Sequence, residues 1–263
     1  IIDVCGTGGD GKDSFNISTC VAFLLASSDV KVAKHGNYSS SSLCGSSNVL
    51  EELGVNFPKD LSFIKKSIDE INIAYLHAPF FHPALKVLSP LRKNLGFRTI
   101  FNLLGPLANP FINCKRLCGI ASLEDMQLYQ DVLEKKRADF YLVHSYGGYD
   151  EISLTSKWKL QGISNSNFNE KVYSPEDLGF DYIQDKDISA GDSLTSAKEI
   201  FTKILKGEGS KEQNSVVVAN AIFGFKLFNQ DMNLNEIKKL LLDNLLSGKA
   251  YKKFNKLVEF NKC

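Results

Sequence analysis

The amino-acid sequence predicts an α/β fold with a mostly parallel central sheet flanked by helices. Short β-branched runs alternate with longer segments whose apolar residues recur at helical spacing. The links between them are short, which marks a sheet covered by helices on both faces. Size agrees: 263 residues, 43% hydrophobic and 23% charged, can bury a sizeable core.

Residues 1–4 read as a strand, 17–28 as a helix, 30–33 as a strand and 47–53 as a helix stopped by Gly54. Leu61, Ile64, Ile68 and Ile71 fall on one face of a helix over 61–71, and 73–76 is a strand. The alternation resumes with a strand at 117–121, a helix at 124–137 and a strand at 140–144. Residues 155–179 are polar, with a dense Ser/Asn stretch at 164–169, and predict an excursion or a hairpin. The tail is helical over 190–206, 214–228 and 234–260, with Gly207 and Gly209 as a break and Gly248 as a stop. No internal repeat and no clean linker divides the chain, so residues 1–263 read as one unit.

Lys+Arg number 31 and Asp+Glu 30, a net charge of +1. That balance argues against a nucleic acid or a membrane surface as partner. Only Arg92, Arg98, Arg116 and Arg137 carry a guanidinium, so each deserves inspection. Cys5, Cys20, Cys44, Cys114, Cys118 and Cys263 form no CxxC and no zinc spacing, and read as free thiols of a reducing cytoplasm. No apolar stretch approaches the ~20 residues of a membrane span. The chain starts without Met, inside an expected strand, which predicts a fragment or a missing upstream segment.

Chemistry gathers in the loops that follow strands, where α/β folds bind ligands. Gly6, Gly8 and Gly11 spell G-x-G-x-x-G, but the second strand ends at Lys34, not at the acid a dinucleotide site wants. Gly6, Gly11 and Lys12 mimic a Walker A loop, but Asp13 stands where Ser or Thr must meet magnesium. What survives is an anion-binding turn: glycines let backbone N–H groups approach a phosphate, and a helix follows. Asn16, Ser18 and Thr19 at that helix start fit N-capping as well as ligand binding. After the next strand come Lys34, His35, Gly36, Asn37, Tyr38, Ser39, Ser40, Ser41 and Ser42, then Gly45 and Ser46 at another helix start. This reads as a second phosphate cradle, so the ligand carries two phosphate groups. Asp150 and Glu151, in a Gly-rich loop after a strand, are candidates for magnesium shared with those phosphates.

In this order, G-T-G-G-D (6–10), N-I-S-T (16–19), K-H-G-N (34–37), H-P-A-L-K (82–86), R-T-I-F-N-L-L-G-P-L-A-N-P (98–110) and D-E-I-S (150–153) resemble the anthranilate phosphoribosyltransferase family. The likeness runs over nearly the whole chain. It implies coupling of anthranilate to 5-phosphoribosyl 1-diphosphate, with magnesium, two ions per subunit, as the second step of tryptophan biosynthesis. It implies that Gly6, Gly9, Asp10, Ser14, Asn16, Ile17, Ser18 and Thr19 hold the diphosphate and ribose. Lys34 to Ser42, each residue as named above, and Ser46 would wrap the phosphoribosyl part. Ser18, Asp150 and Glu151 would bind metal, Glu151 touching both ions. Asn37, Arg92, His82 and Gly6 would present anthranilate, Arg92 taking its carboxylate with a planar fork. Arg98 reads as support and His35 as backing for the site, not a base. No residue is a certain catalytic acid or base; catalysis is by electrostatics and orientation.

Two departures stand out. Tyr38 follows K-H-G-N where the family usually has Arg, removing a positive charge near the substrates. The family's small helical domain precedes G-T-G-G-D, and here only five residues do, so that domain is expected to be largely truncated. The full-length family forms homodimers; if the interface lies in that domain, this chain alone is monomeric or poorly active, and the natural protein extends upstream or belongs to a fusion. Two rivals remain: a pyrimidine nucleoside phosphorylase, which would bind free phosphate and a nucleoside, and a non-enzymatic relative that binds nucleic acid. The D-E-I and R-T-I-F-N-L-L-G-P motifs speak against the first, and the charge balance against the second.

Overall fold

The computed structural model describes residues 1–39, 44–83 and 103–262. Ser40, Ser41, Ser42, Arg92, Arg98 and Cys263, and the parts of the quoted motifs at 84–86 and 98–102, lie outside the described residues. Seven strands form one sheet in the order β3-β2-β1-β4-β5-β6-β7. They are β1 (Ile2–Gly6), β2 (Val32–Gly36), β3 (Ile73–His77), β4 (Lys115–Gly119), β5 (Phe140–Ser145), β6 (Trp158–Ser164) and β7 (Asn167–Tyr173). The pairs from β3 through β5 are all parallel, and β6 and β7 extend the sheet antiparallel.

Alternation along the strands sorts side chains to two faces. Ile2, Val4, Val32, Leu117, Tyr141 and Val143 join the large core, with helices α1 (Ile17–Ser27) and α7 (Lys211–Lys226). Cys118, Phe140 and Leu142 face the other way, onto Met126, Tyr129 and Leu133 of α5 (Leu123–Lys135). Ala33, Ala74 and Leu76 meet Ile64 and Ile68 of α3 (Leu61–Ile71). The sheet is thus covered on both sides, as the sequence predicts. Helix α2 (Ser46–Glu52) precedes α3, and α4 (Ala78–Phe81) is one turn after β3. The tail adds α6 (Leu194–Lys206), α8 (Leu234–Leu246) and α9 (Lys249–Phe260) around α1.

Helix α1 is apolar nearly all round because it is buried nearly all round. Phe23 meets Phe201 of α6 and Phe254 of α9 edge-on at 6.0 and 5.5 Å. Truncating a ring in such packing costs about 3–5 kcal/mol. Gly224 lets α7 approach α1: a Cβ there would lie 2.8 Å from Leu25 Cδ1.

The differences from expectation are local. Strands β1 and β2 run on to Gly6 and Gly36, past the predicted ends at 4 and 33, because parallel pairing continues through Cys5, Gly6 and Lys34 to Gly36, where the β-branched pattern that announces a strand has ended. The 155–179 excursion is the β6–β7 hairpin, turned by Asn165 and Ser166 at φ 48° and 64°. The segment 234–260 is two helices split at Gly248, φ 69°. Arg116 is buried and donates to the carbonyls of Cys114 and Ile112, a structural role. Five cysteines are buried free thiols; Cys5 and Cys118 lie 3.9 Å apart across β1 and β4. Among the described residues no helix is long and apolar enough to cross a membrane.

Candidate active site

Between β1 and β4 the winding of the sheet reverses, and at such a switch point loops diverge and leave a crevice. A cavity of about 990 Å³ opens there, lined by the loops after β1, β2 and β3, by Asp150 and Glu151 after β5, and by Gly105 and Pro106. The two switch-point strands are tied above the sheet: Thr7 N–H donates to Gly119 O at 2.9 Å, and Ala121 N–H to Thr7 Oγ1 at 3.1 Å.

The acidic corner sits directly over the glycine turn. Gly8 N–H donates to Asp150 Oδ2 at 2.7 Å. A Cβ on Gly6 would lie 2.2 Å from the same oxygen, and one on Gly119 would lie 1.4 Å from the Asp150 carbonyl oxygen. Both strands must therefore end in glycine for the corner to fit. From below, Asn220 of α7 accepts from Ile152 N–H and donates to Ile152 O, and Ser145 Oγ donates to Glu151 O. Glu151 Oε1 accepts from Ser18 N–H at 3.0 Å, in the first turn of α1.

These carboxyls are poorly compensated. Burial pushes Asp150 well above the usual carboxylate range, and the charges of Glu151 and Asp10 push the same way. Burial also raises Glu151, to about 7, against the pull of Lys34. Lys34 lies inside the wall, donating to Val4 O at 2.7 Å and Ser18 Oγ at 3.1 Å, and burial lowers its own pKa. Among the described residues no three His, Cys, Asp or Glu side chains close on one point. The donor set of two carboxylates and the Ser18 hydroxyl fits magnesium, which takes few protein ligands and completes its shell with substrate phosphate oxygens.

Most of the predicted residues meet at this cavity: Gly6, Gly9, Asp10, Ser14, Asn16, Ile17, Ser18, Thr19, Lys34, His35, Gly36, Asn37, Tyr38, Ser39, Ser46, His82, Asp150 and Glu151 all line it. Their parts differ. The Ile17 side chain is in the core, leaving only backbone to the cavity. Asn16 makes no cap bond; its amide donates to Cys44 O at 3.2 Å, so capping is not its job. Thr19 Oγ1 is buried with no partner among the described residues. His35 Nδ1 pairs with Gly105 O at 3.2 Å, and burial lowers its pKa, keeping it neutral. Tyr38 donates to Glu51 at 3.0 Å and leans edge-on against His77. Sequence reasoning missed Phe57, His77, Ala78, Pro79, Phe80, Gly105 and Pro106 in the wall. The rule that strand ends collect ligands, applied to β3 as well, would have found the four from His77 to Phe80.

Comparisons with known proteins agree with this architecture. The family model described as "Glycosyl transferase family, a/b domain" matches residues 1–251. An anthranilate phosphoribosyltransferase of Bacteroides thetaiotaomicron is 43% identical over 260 residues, covering 99% of this chain and 77% of the relative. The crystal structure of the anthranilate phosphoribosyltransferase of Thermus thermophilus superimposes with a TM-score of 0.91 at 33% identity, covering 100% of this chain and 78% of that one. The enzyme of Saccharomyces cerevisiae, in complex with PRPP and Mg, gives 0.89 at 25% identity, covering 99% and 73%. Identity at this level along the whole chain decides against the phosphorylase and nucleic-acid readings: the chain belongs to the anthranilate phosphoribosyltransferase family.

Proposed function

We propose that phosphoribosyl transfer to anthranilate, the activity of this family, runs in the switch-point cavity with the residues named from the sequence in the roles their motifs imply. The observation that carries it is the 2.7 Å contact between Gly8 N–H and Asp150, which joins the anion-binding turn and the acidic corner in one cavity. Gly6, Gly9, Asp10, Ser14 and the first turn of α1 take the diphosphate and ribose. Lys34 to Ser42, with Ser46, surround the phosphoribosyl group; Gly6, Asn37, His82 and Arg92 orient anthranilate. Bound magnesium, two ions held by Asp150, Glu151 and the Ser18 hydroxyl, neutralises the diphosphate. The chain works in the cytoplasm, where its buried thiols stay reduced; the homodimer belongs to the full-length family.

The bond from C1 to the diphosphate oxygen breaks with its electron pair leaving on the diphosphate, and the anthranilate nitrogen forms the new bond to C1. The glycine turn at Gly9 and Asp10 and the positive end of the α1 dipole face the charge that grows on the leaving group, a term that usually dominates such catalysis. The aromatic amine is a weak nucleophile, so its orientation supplies several of the ~7–11 kcal/mol available to well-placed reactants. The amine proton is acidic once nitrogen is bonded to carbon and passes to solvent, so no side chain need act as base.

Turnover followed by loss of anthranilate fluorescence, with and without magnesium, tests these roles. The double variant Asp150→Ala, Glu151→Ala loses about 10²–10³-fold in kcat, the scale of removing preorganised charge stabilisation, whereas His35→Ala loses about tenfold or less. Equal losses would overturn the assignment.

A further inference from the structure

Beneath the second loop runs a buried polar chain that the reaction as described does not use. Tyr75, in the middle of β3, is 3% exposed, and its phenol oxygen lies 2.7 Å from Ser46 Oγ and 2.8 Å from Ser47 Oγ. Ser47 Oγ in turn lies 2.9 Å from His77 Nδ1. The imidazole is fixed by three rings: Phe57 stacks on it at 4.8 Å, and Tyr38 and Phe80 meet it edge-on at 4.8 and 4.9 Å. Of the three hydroxyls on Tyr75, Ser46 and Ser47, that of Ser46 belongs to a residue lining the cavity.

We propose that Tyr75 is a positioning residue for 5-phosphoribosyl 1-diphosphate, acting through Ser46, with Ser47 and His77 holding its phenol in place. This role rests on the reading of Ser46 as a phosphoribosyl contact. Each hydroxyl has one proton to give, so the chain has a single polarity at a time. In the polarity we assign, Ser46 donates to Asn37 O at 3.4 Å and accepts from Tyr75, Tyr75 accepts from Ser47, and Ser47 from the Nδ1–H of His77. The His77 tautomer is assigned from this network. Burial pushes the phenol pKa up, so the proton stays on Tyr75. In this polarity the acceptor side of Ser46 is filled from below, and its only proton sits in a long, weak contact. A phosphate oxygen takes that proton without any other group having to turn, which is preorganisation. The phenol is also boxed in: a Cβ on Gly36 would lie 2.2 Å from its oxygen and 2.6 Å from Ser46 Oγ.

Steady-state kinetics with magnesium and saturating anthranilate, varying 5-phosphoribosyl 1-diphosphate, test the role. Tyr75→Phe keeps the ring and removes the hydroxyl. Its KM for 5-phosphoribosyl 1-diphosphate rises about tenfold, the loss of one hydrogen bond, while kcat and the KM for anthranilate stay within about twofold. Ser46→Ala raises the same KM by a similar factor, and the double variant is no worse than Ser46→Ala alone, because the phenol acts through that hydroxyl. An unchanged KM in Tyr75→Phe while Ser46→Ala raises it, or effects that multiply in the double variant, overturns the role of Tyr75. An unchanged KM in Ser46→Ala removes the Ser46 contact itself, and the role of Tyr75 falls with it. Should Tyr75→Phe fail to fold, Ser47→Ala breaks the same chain one link further back. It raises the KM about threefold, and not at all in a Ser46→Ala background; no rise in the single variant overturns the proposal.

Discussion

Helix α1, which faces the cavity, and the helices that pack behind it begin in different ways. Behind the site, α6, α7 and α8 start on Ser193, Ser210 and Asn233, whose side chains accept from the N–H three residues on. In α7 and α8 the bond is returned, by Gln213 to Ser210 N–H and by Glu236 to Asn233 N–H. Their first turns are satisfied within four residues of sequence. Helix α1 has no such cap and no acid in its first turn. Asn16 turns away to Cys44 O, and the Ser18 N–H is met by Glu151, 133 residues away. A helix that serves a ligand leaves its N-terminal donors to be claimed from outside, and the fold must bring the claimant. The same division holds for the glycines: at Gly6 and Gly119 absence of a side chain is what lets Asp150 close on the turn.

The largest effect is expected where that closure is tightest. Gly119→Ala would put a methyl 1.4 Å from the Asp150 carbonyl oxygen. Backbone must move, and the displacement carries the acidic corner off the glycine turn. Turnover falls about 100-fold or more, the scale of a 1 Å misplacement, and stability by roughly 3 kcal/mol; near-native kcat would show that the corner is free to shift. A pair of variants then separates the two kinds of helix start. Asn16→Ala raises the KM for 5-phosphoribosyl 1-diphosphate about tenfold, as for one lost hydrogen-bonding group. Ser210→Ala leaves kinetics unchanged and costs about 1 kcal/mol, a drop in Tm of about 2–4 °C. If Asn16→Ala behaves like Ser210→Ala, α1 is an ordinary helix and the contrast fails.

How much of this could be read from the sequence follows from how local each signal is. The alternation of strands and helices was legible because period 2 and period 3.6 are written in neighbouring residues. The glycine turn and the Asp150–Glu151 corner were legible for the same reason, though their contact was not, since it depends on β4 lying between β1 and β5. Strand ends were read short at Lys34, His35 and Gly36, because a strand loses its apolar pattern where it begins to serve the cavity. Tyr75 passed as an ordinary strand residue, and His77 lay just past the expected strand end. Their partners Ser46 and Ser47 lie nearly thirty residues earlier, and only the β2–β3 register brings them together. Asn16 fitted a cap as well as a ligand group by position, and its amide bonds Cys44 O instead of capping, a difference fixed by where Cys44 lies.

The smallest expected effect lies farthest from the chemistry, in the β6–β7 hairpin, and it tests whether left-handed backbone is functional here or merely tolerated. Around the site the positive φ angles fall on glycine: Gly8, Gly9 and Gly11 lie at 65°, 73° and 71°. At the hairpin, Asn165 and Ser166 adopt 48° and 64° with side chains attached. A two-residue turn with both φ positive favours Asn followed by Gly, and serine in that region carries strain that glycine does not. Against this, glycine widens the unfolded ensemble. The strain is the larger quantity, so Ser166→Gly stabilises the protein by about 0.5 kcal/mol, read as a rise in the denaturation midpoint, with kcat and both KM values unchanged. The converse substitution at the site, Gly9→Ser, places a side chain at φ 73° in the cavity wall, where the same strain falls on the anion-binding turn. A destabilised Ser166→Gly would mean that the hairpin's serine holds something the backbone angles do not reveal.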